Sequence, residues 1–299
     1  MNKNTRFWSV LLSGALVMSG EAVADEGLFG YVKGAEPLPK GSWDAEQWFT
    51  WRGGKEEGSY NALDTKTEVE YGITDRFAAS VAFFGLGINT SGLMVDAYLP
   101  GPKKYPWRPA GVEASVKYNY LTPALDDFGL AQYTSLSYFW YDVNSGFRKN
   151  VYSFETFLIA QKYYLDGQLV VAANLGIEAD SATRQPIQGL PADFEWPLTP
   201  EMEIAITASA GITYRVISNW FVGAEIFYQT EHETVVGQER WSLQAGPTIH
   251  YAARDWWVTL TWLPQLVGGG VAQVPGQTYH QQLIEKTSQE IRLKIGINF

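Results

Sequence analysis

The sequence predicts an all-β fold: a single antiparallel transmembrane β-barrel of about twelve strands, with short periplasmic turns and longer extracellular loops. Three observations predict it. The final run, 287–299, alternates with a period of two, setting Ile291, Leu293, Ile295, Ile297 and Phe299 on one face and Glu290, Arg292, Lys294 and Asn298 on the other. Aromatic residues make up 15% of the chain, with 12 Trp and 17 Tyr, yet the mean hydropathy is slightly negative. Strands that alternate lipid-facing and lumen-facing residues average out in this way. The connections, finally, are tight and long by turns, a pattern that a soluble β-sandwich does not predict.

Residues 1–24 read as a secretory signal. Lys3 and Arg6 precede an apolar stretch from Phe7 to Gly20, and Ala22-Val23-Ala24 offers a small-residue cleavage motif near Ala24. The apolar part is shorter than the roughly 20 residues a membrane-spanning helix needs. Cleavage would leave 20 basic and 31 acidic residues, a net charge of about −11. The chain contains no cysteine, which excludes lipoprotein attachment, disulfides and thiolate metal sites. Residues 25–42, with Gly27, Gly30, Gly34, Pro37 and Pro39, read as an irregular periplasmic lead-in to a barrel spanning 43–299.

Strands are expected at 43–53, 60–73, 76–87, 111–121, 128–142, 150–164, 167–178, 199–215, 219–231, 240–253, 255–265 and 287–299. Tight turns at 73–76, 122–127, 165–167, 216–219 and 254–255 alternate with longer loops at 54–59, 87–110, 144–149, 180–198, 232–239 and 266–286. That alternation puts both termini at the periplasmic end and makes the strand number even. Within the strands, Glu113, Ser115, Lys117 and Asn119 should face inward opposite Val112, Val116, Tyr118 and Tyr120. Aromatics gather near strand ends, as girdles do at headgroup level. Tyr118, Tyr120, Tyr163, Trp220, Tyr251, Trp256 and Phe299 mark the periplasmic end, and Trp51, Tyr60, Trp140, Tyr152 and Trp262 the outer end.

A carboxy-terminal Phe299 closing the alternating run with Ile295 and Ile297 resembles the assembly signal of outer-membrane barrels. Glu36-Pro37-Leu38-Pro39-Lys40-Gly41, Glu70-Tyr71-Gly72-Ile73-Thr74-Asp75-Arg76, Lys117-Tyr118-Asn119-Tyr120-Leu121 and the run 260–266 extend the match. They resemble segments of a loosely related group of uncharacterised Gram-negative outer-membrane proteins, some of them labelled transporter-like or phenol-degradation-pathway-like. The resemblance implies a bacterial outer-membrane barrel and small-molecule passage. Its partners would be outer-membrane lipids, the barrel-assembly machinery and a small solute. The oligomeric state stays open.

No catalytic constellation emerges. Ser242 and His250 lie on one face of one strand but eight residues apart, roughly 27 Å at the strand rise. His232 and His280 belong to outer loops. Glu231 and Glu233 share a strand face while His232 points away, so no metal set forms, and no cofactor is expected. The acidic balance argues against nucleic acid. The informative charges lie in the expected lumen. Arg292 and Lys294 on the last strand should meet Asp44, Glu46 and Arg52 on the first across the closing seam, beside Lys66, Glu68 and Glu70 on the second. Glu113, Glu155, Glu178, Glu203 and Glu225 add inward acids, which favour neutral or cationic solutes over acidic ones. Loop 87–110, with Tyr98, Lys103, Lys104, Tyr105 and Trp107, is long enough to fold inward and constrict the mouth.

The expectation is therefore a small pore or transport protein for small solutes, hydrophobic or aromatic, neutral or cationic. The alternatives are a non-conducting structural or surface-interaction barrel whose lumen is filled by side chains and, third, a barrel enzyme.

Overall fold

A computed structural model describes residues 26–92, 94–95, 99–100, 103–186, 198, 200–233, 237–272 and 280–299. Among these residues twelve long strands close into an antiparallel barrel. They are β1 (Trp43–Gly53), β2 (Ser59–Thr74), β3 (Phe77–Ser91), β4 (Lys103–Leu121), β5 (Gly129–Tyr141) and β6 (Arg148–Tyr164), then β7 (Leu169–Arg184), β8 (Glu201–Ile217), β9 (Trp220–Glu233), β10 (Gly237–Ala252), β11 (Trp256–Gly270) and β12 (Gln289–Asn298). Each strand pairs with its sequence neighbours, and β12 closes on β1 from Asp44↔Asn298 to Gly53↔Gln289. Closure is what lets strands cross hydrocarbon, where an unpaired edge would leave backbone groups unsatisfied.

Alternation sorts the side chains as expected. On β8, Ile204, Ile206 and Ile212 are exposed to the surroundings while Thr207, Ser209 and Thr213 are buried inward. On β12, Ile295, Ile297 and Phe299 face outward and Lys294 is buried. Phe299 also exchanges backbone hydrogen bonds with Trp43 in both directions, at 2.7 and 3.0 Å, so the last residue completes the seam. Rings pair on the outer face near the periplasmic end, Trp43 with Tyr71 at 4.6 Å and Trp220 with Tyr251 at 4.9 Å. Near the other end Tyr152 stacks on Tyr138 at 4.8 Å. Two expected girdle members instead point into the barrel: Tyr60 is buried, and the Tyr163 hydroxyl bonds Glu36.

Two larger differences concern segments read as loop or tail. Much of 87–110 is strand, because β3 runs to Ser91 and β4 starts at Lys103, pairing Ile88 with Tyr105. A two-residue ribbon, Met94–Val95 with Leu99–Pro100, lies between them. Residues 26–39 are irregular apart from a 3₁₀ turn at Glu26–Leu28, as expected, but they do not hang in the periplasm. They rise into the lumen and return to its periplasmic rim. Leu28, Phe29 and Val32 supply the reason, since as a free tail these apolar side chains would stand in water. Inside they pack against Val170, Ala172 and Phe221.

Candidate functional site

The lumen is organised around this arch. Buried backbone amides need partners, and with no strand beside it the arch takes them from inward side chains. Glu225 on β9 accepts from the backbone N–H groups of Gly30 (2.8 Å), Tyr31 (2.7 Å) and Val32 (2.9 Å), and from the Thr261 hydroxyl (2.8 Å). Asn174 on β7 accepts from the Lys33 N–H at 2.7 Å and donates to the Lys33 carbonyl at 2.9 Å. Gln161 and Asn119 hold the N–H and carbonyl of Ala35. Lys117 donates to the Glu36 carbonyl, and Gln161 and Tyr163 donate to the Glu36 carboxylate. On the rising limb Thr259 donates to the Gly27 carbonyl. Phe29 fits because β8 carries glycine beneath it: a Cβ on Gly211 would lie 2.5 Å from the ring.

The outer end is narrowed by two other segments. Residues 142–147 turn inward around Asp142, whose carboxylate accepts from the Asn144 and Ser145 N–H groups and the Ser145 hydroxyl. Burial alone would raise this carboxyl. The Lys149 ammonium and the Ser145 donors outweigh it and hold the value below the ordinary one. Arg52 grips Asp64 through two nitrogens at 2.6 and 3.0 Å and donates to the Val143 carbonyl, while Arg108 stacks on Tyr141 and donates to the Gly146 carbonyl. From the last outer connection Gln282, Ile284, Glu285 and Thr287 are buried, and Lys286 reaches Gln229 at 2.7 Å and Glu231. Arg240 gathers Glu203, Glu231, Glu239 and Glu285.

Two chambers remain. An inner one of about 410 Å³ lies above the arch, and an outer one of about 370 Å³ lies beneath the inward segments. Both fall in the range of small-molecule sites. Phe139, Glu178, Gln229, Lys286 and Glu290 line both and so form the waist between them. The inner chamber has unlike walls. Trp48 on β1 carries three cations near its ring, Lys294 at 4.5 Å, Lys66 at 4.7 Å and Arg292 at 5.2 Å. Half-way round the barrel, β6 and β7 present Glu155 and Glu178.

The lumen charges expected from sequence all lie inside, and they sort into separate contacts. Lys66 bridges Glu68 at 2.7 Å and Glu113 at 2.9 Å. Glu46 and Lys294 meet across the seam at 3.5 Å. Asp44 and Glu70 stand opposite each other in register and line the inner chamber. Arg292 serves seam and arch together: it donates to Thr50, its register partner across the seam, at 2.9 Å and to the Gly30 carbonyl of the arch at 3.0 Å, and stacks on Tyr31 at 3.8 Å. Of the expected constriction residues, Tyr98 and the Lys103 side chain lie outside the described residues. Lys104 and Trp107 are exposed on β4, the Trp107 indole bonding Thr65, and Tyr105 alone packs inward with Tyr60 and Ile88. Among the described residues, 142–147 and 280–288 narrow the mouth.

Sequence reading missed the arch and its anchors. The available signal was Asn119, Gln161 and Asn174, inward amides in the periplasmic halves of their strands, together with apolar Leu28, Phe29 and Val32 in a nominal tail. His250, expected inward, is buried and bonds Thr259 at 2.7 Å. His232 lies on β9 rather than in a loop.

Closed antiparallel strands, an apolar outer face and a polar, occupied lumen define a transmembrane β-barrel of the bacterial outer-membrane type. The chain belongs to the DUF6662 family, a family of unknown function, whose model matches residues 21–299. The curated proteins include no match. Among solved structures, the COG4313 outer membrane channel from Pseudomonas putida F1 superposes with a TM-score of 0.55 at 10% identity, covering 89% of this chain and 98% of that one. The beta domain of the Bordetella autotransporter BrkA gives 0.55 at 8% identity, covering 87% and 100%. At such identities the likeness is one of fold.

Proposed function

We propose that the protein is an outer-membrane transport barrel for small solutes, closed at rest by its own amino-terminal arch. The inner chamber carries this reading. About 410 Å³ of space, faced with aromatic rings and both signs of charge, lies between the arch and the waist, where a plug serving only to fill the lumen would leave none. Solutes would enter past the outer loops, dwell in the chamber and leave when the arch moves. The leader 1–24 would be removed near Ala24, leaving the arch at the start of the mature chain. The chamber rings agree with hydrophobic or aromatic solutes. We assign the barrel no catalytic step, no cofactor and no nucleic-acid partner.

Uptake of neutral, cationic and anionic solutes of similar size into proteoliposomes tests the proposal. Faster uptake of neutral and cationic solutes than of anionic ones is expected. No uptake by the wild type or by a variant lacking residues 26–39 would overturn it. That outcome would favour the second reading, a non-conducting structural barrel, for which the bonds fixing the arch to Glu225 and Asn174 speak.

A further inference from the structure

The arch places one charged side chain of its own in the inner chamber, and where that charge rests is informative. The Lys33 ammonium lies 3.9 Å from the centroid of the Tyr133 ring and 5.3 Å from that of Phe157. Both rings belong to the barrel wall, where Tyr133 and Phe157 face each other directly across β5 and β6. Each is held in place. The Tyr133 hydroxyl donates to Glu113 at 3.0 Å, and Glu113 is itself fixed by Ser137 and Lys66. Phe157 lies down over Gly176, its register partner on β7, so closely that a Cβ there would strike the ring. Glycine on one strand thus lets the phenyl turn its face to the lumen. Glu155, two residues along β6 on the same face, lines the same chamber beside Glu178.

Aromatic faces backed by carboxylates are what recognises an ammonium group removed from bulk water. We propose that Tyr133, Phe157 and Glu155 form a binding seat for the ammonium end of an organic amine, and that Lys33 is a resident stand-in that the solute displaces. The Lys33 backbone is held separately, by the two bonds to Asn174. Its side chain can therefore leave the seat while the arch stays anchored. The remainder of the chamber, with Trp48 opposite, takes the rest of the solute. The seat names the solute class for the transport reading and rests on it for a purpose. Binding can nevertheless be read without conduction, so amine binding in a barrel that passes nothing would leave the seat standing and remove only the pore.

The test fills the space that shortening Lys33 leaves. n-Propylammonium equals the part of the side chain that Lys33→Ala removes, and 1-propanol is its neutral counterpart. Calorimetric titration of the detergent-refolded barrel should show n-propylammonium binding to Lys33→Ala at least ten-fold more tightly than to the wild type, and more tightly than 1-propanol. Adding Phe157→Leu or Glu155→Gln to Lys33→Ala should weaken it five-fold or more. Equal affinity for wild type and Lys33→Ala, equal affinity for amine and alcohol, or indifference to both second substitutions would overturn the proposal. The wild-type protein gives an independent readout. High n-propylammonium should raise the reactivity of the Lys33 amine toward an amine-modifying reagent where 1-propanol does not, and unchanged reactivity would count against displacement.

Discussion

Glu225 and Gly30 lie 195 positions apart in the chain and are joined by a 2.8 Å hydrogen bond from the Gly30 N–H to the carboxylate. The same carboxylate takes the next two amides of the arch, so one side chain of β9 fixes the crest of the plug. Hydrogen bonds to an ionised acceptor are roughly twice as strong as neutral ones, and a buried amide that loses its acceptor costs about 1–3 kcal/mol. Glu225→Ala should therefore free the arch rather than leave three amides stranded. Hydrogen exchange or limited proteolysis should show residues 26–39 opening in this variant while the barrel keeps its heat-modifiable gel mobility. Unchanged protection of 26–39 would show that Glu225 is not the anchor.

The arch draws on one of the two inward cations of β12. Lys294 pairs with Glu46 across the closing strands, whereas Arg292 bonds Thr50 across the seam and also holds Gly30 and Tyr31. Breaking a buried pair by removing one partner costs about 3–5 kcal/mol. Lys294→Ala should lower the temperature at which the folded gel band is lost. Arg292→Ala should lower that temperature less than Lys294→Ala does and increase exchange at 26–32. The reverse pattern would exchange the two roles.

Asp142 sets a pH limit on the outer loop 142–147. Its native value is depressed, so the fold favours the ionised form. The stabilisation is full above the unfolded-chain value of about 3.9 and is lost as pH falls through the native value. Proteolytic or exchange protection of 142–147 should hold from pH 7 to 5 and decline below about pH 4. In Asp142→Asn protection should be weak throughout, with the acid step gone. A wild-type loop equally protected at pH 3 and pH 6 would contradict this.

Phe299 is 70% exposed on the outer face and contributes to closure through its backbone pair with Trp43. Removing Phe299 should impair membrane assembly in cells and leave refolding in detergent largely intact. Normal assembly of the truncated chain would remove the terminal residue from the signal.

What the sequence made legible follows from where hydrogen bonds go. Strand neighbours satisfy each other and leave the side chains a period of two, so 43–53 and 199–215 could be placed to within a residue or two. β4 was read as starting at 111 rather than Lys103, because register shifts near Gly85 and Ile88 break the alternation and Pro106 suggests a loop. The inward set of charges was legible from the same period, but their partners were not. Arg292 and Lys294 are two residues apart on one face, yet Arg292 reaches the arch as well as the seam while Lys294 pairs within the seam. The arch itself left no periodic trace, since its backbone bonds run to side chains such as Glu225, Asn174 and Gln161, each more than a hundred positions away.

The chain has no cysteine, so a single engineered pair can lock the plug. Ala35 of the arch and Ala131 of β5 are fully buried in one cluster. Single-channel conductance of Ala35→Cys/Ala131→Cys in a planar bilayer, recorded oxidised and then after addition of reductant, tests whether the arch is the gate. Silence while oxidised and wild-type conductance steps once reduced are the expected result. Equal conductance in the two states, with the disulfide shown to have formed, would contradict it.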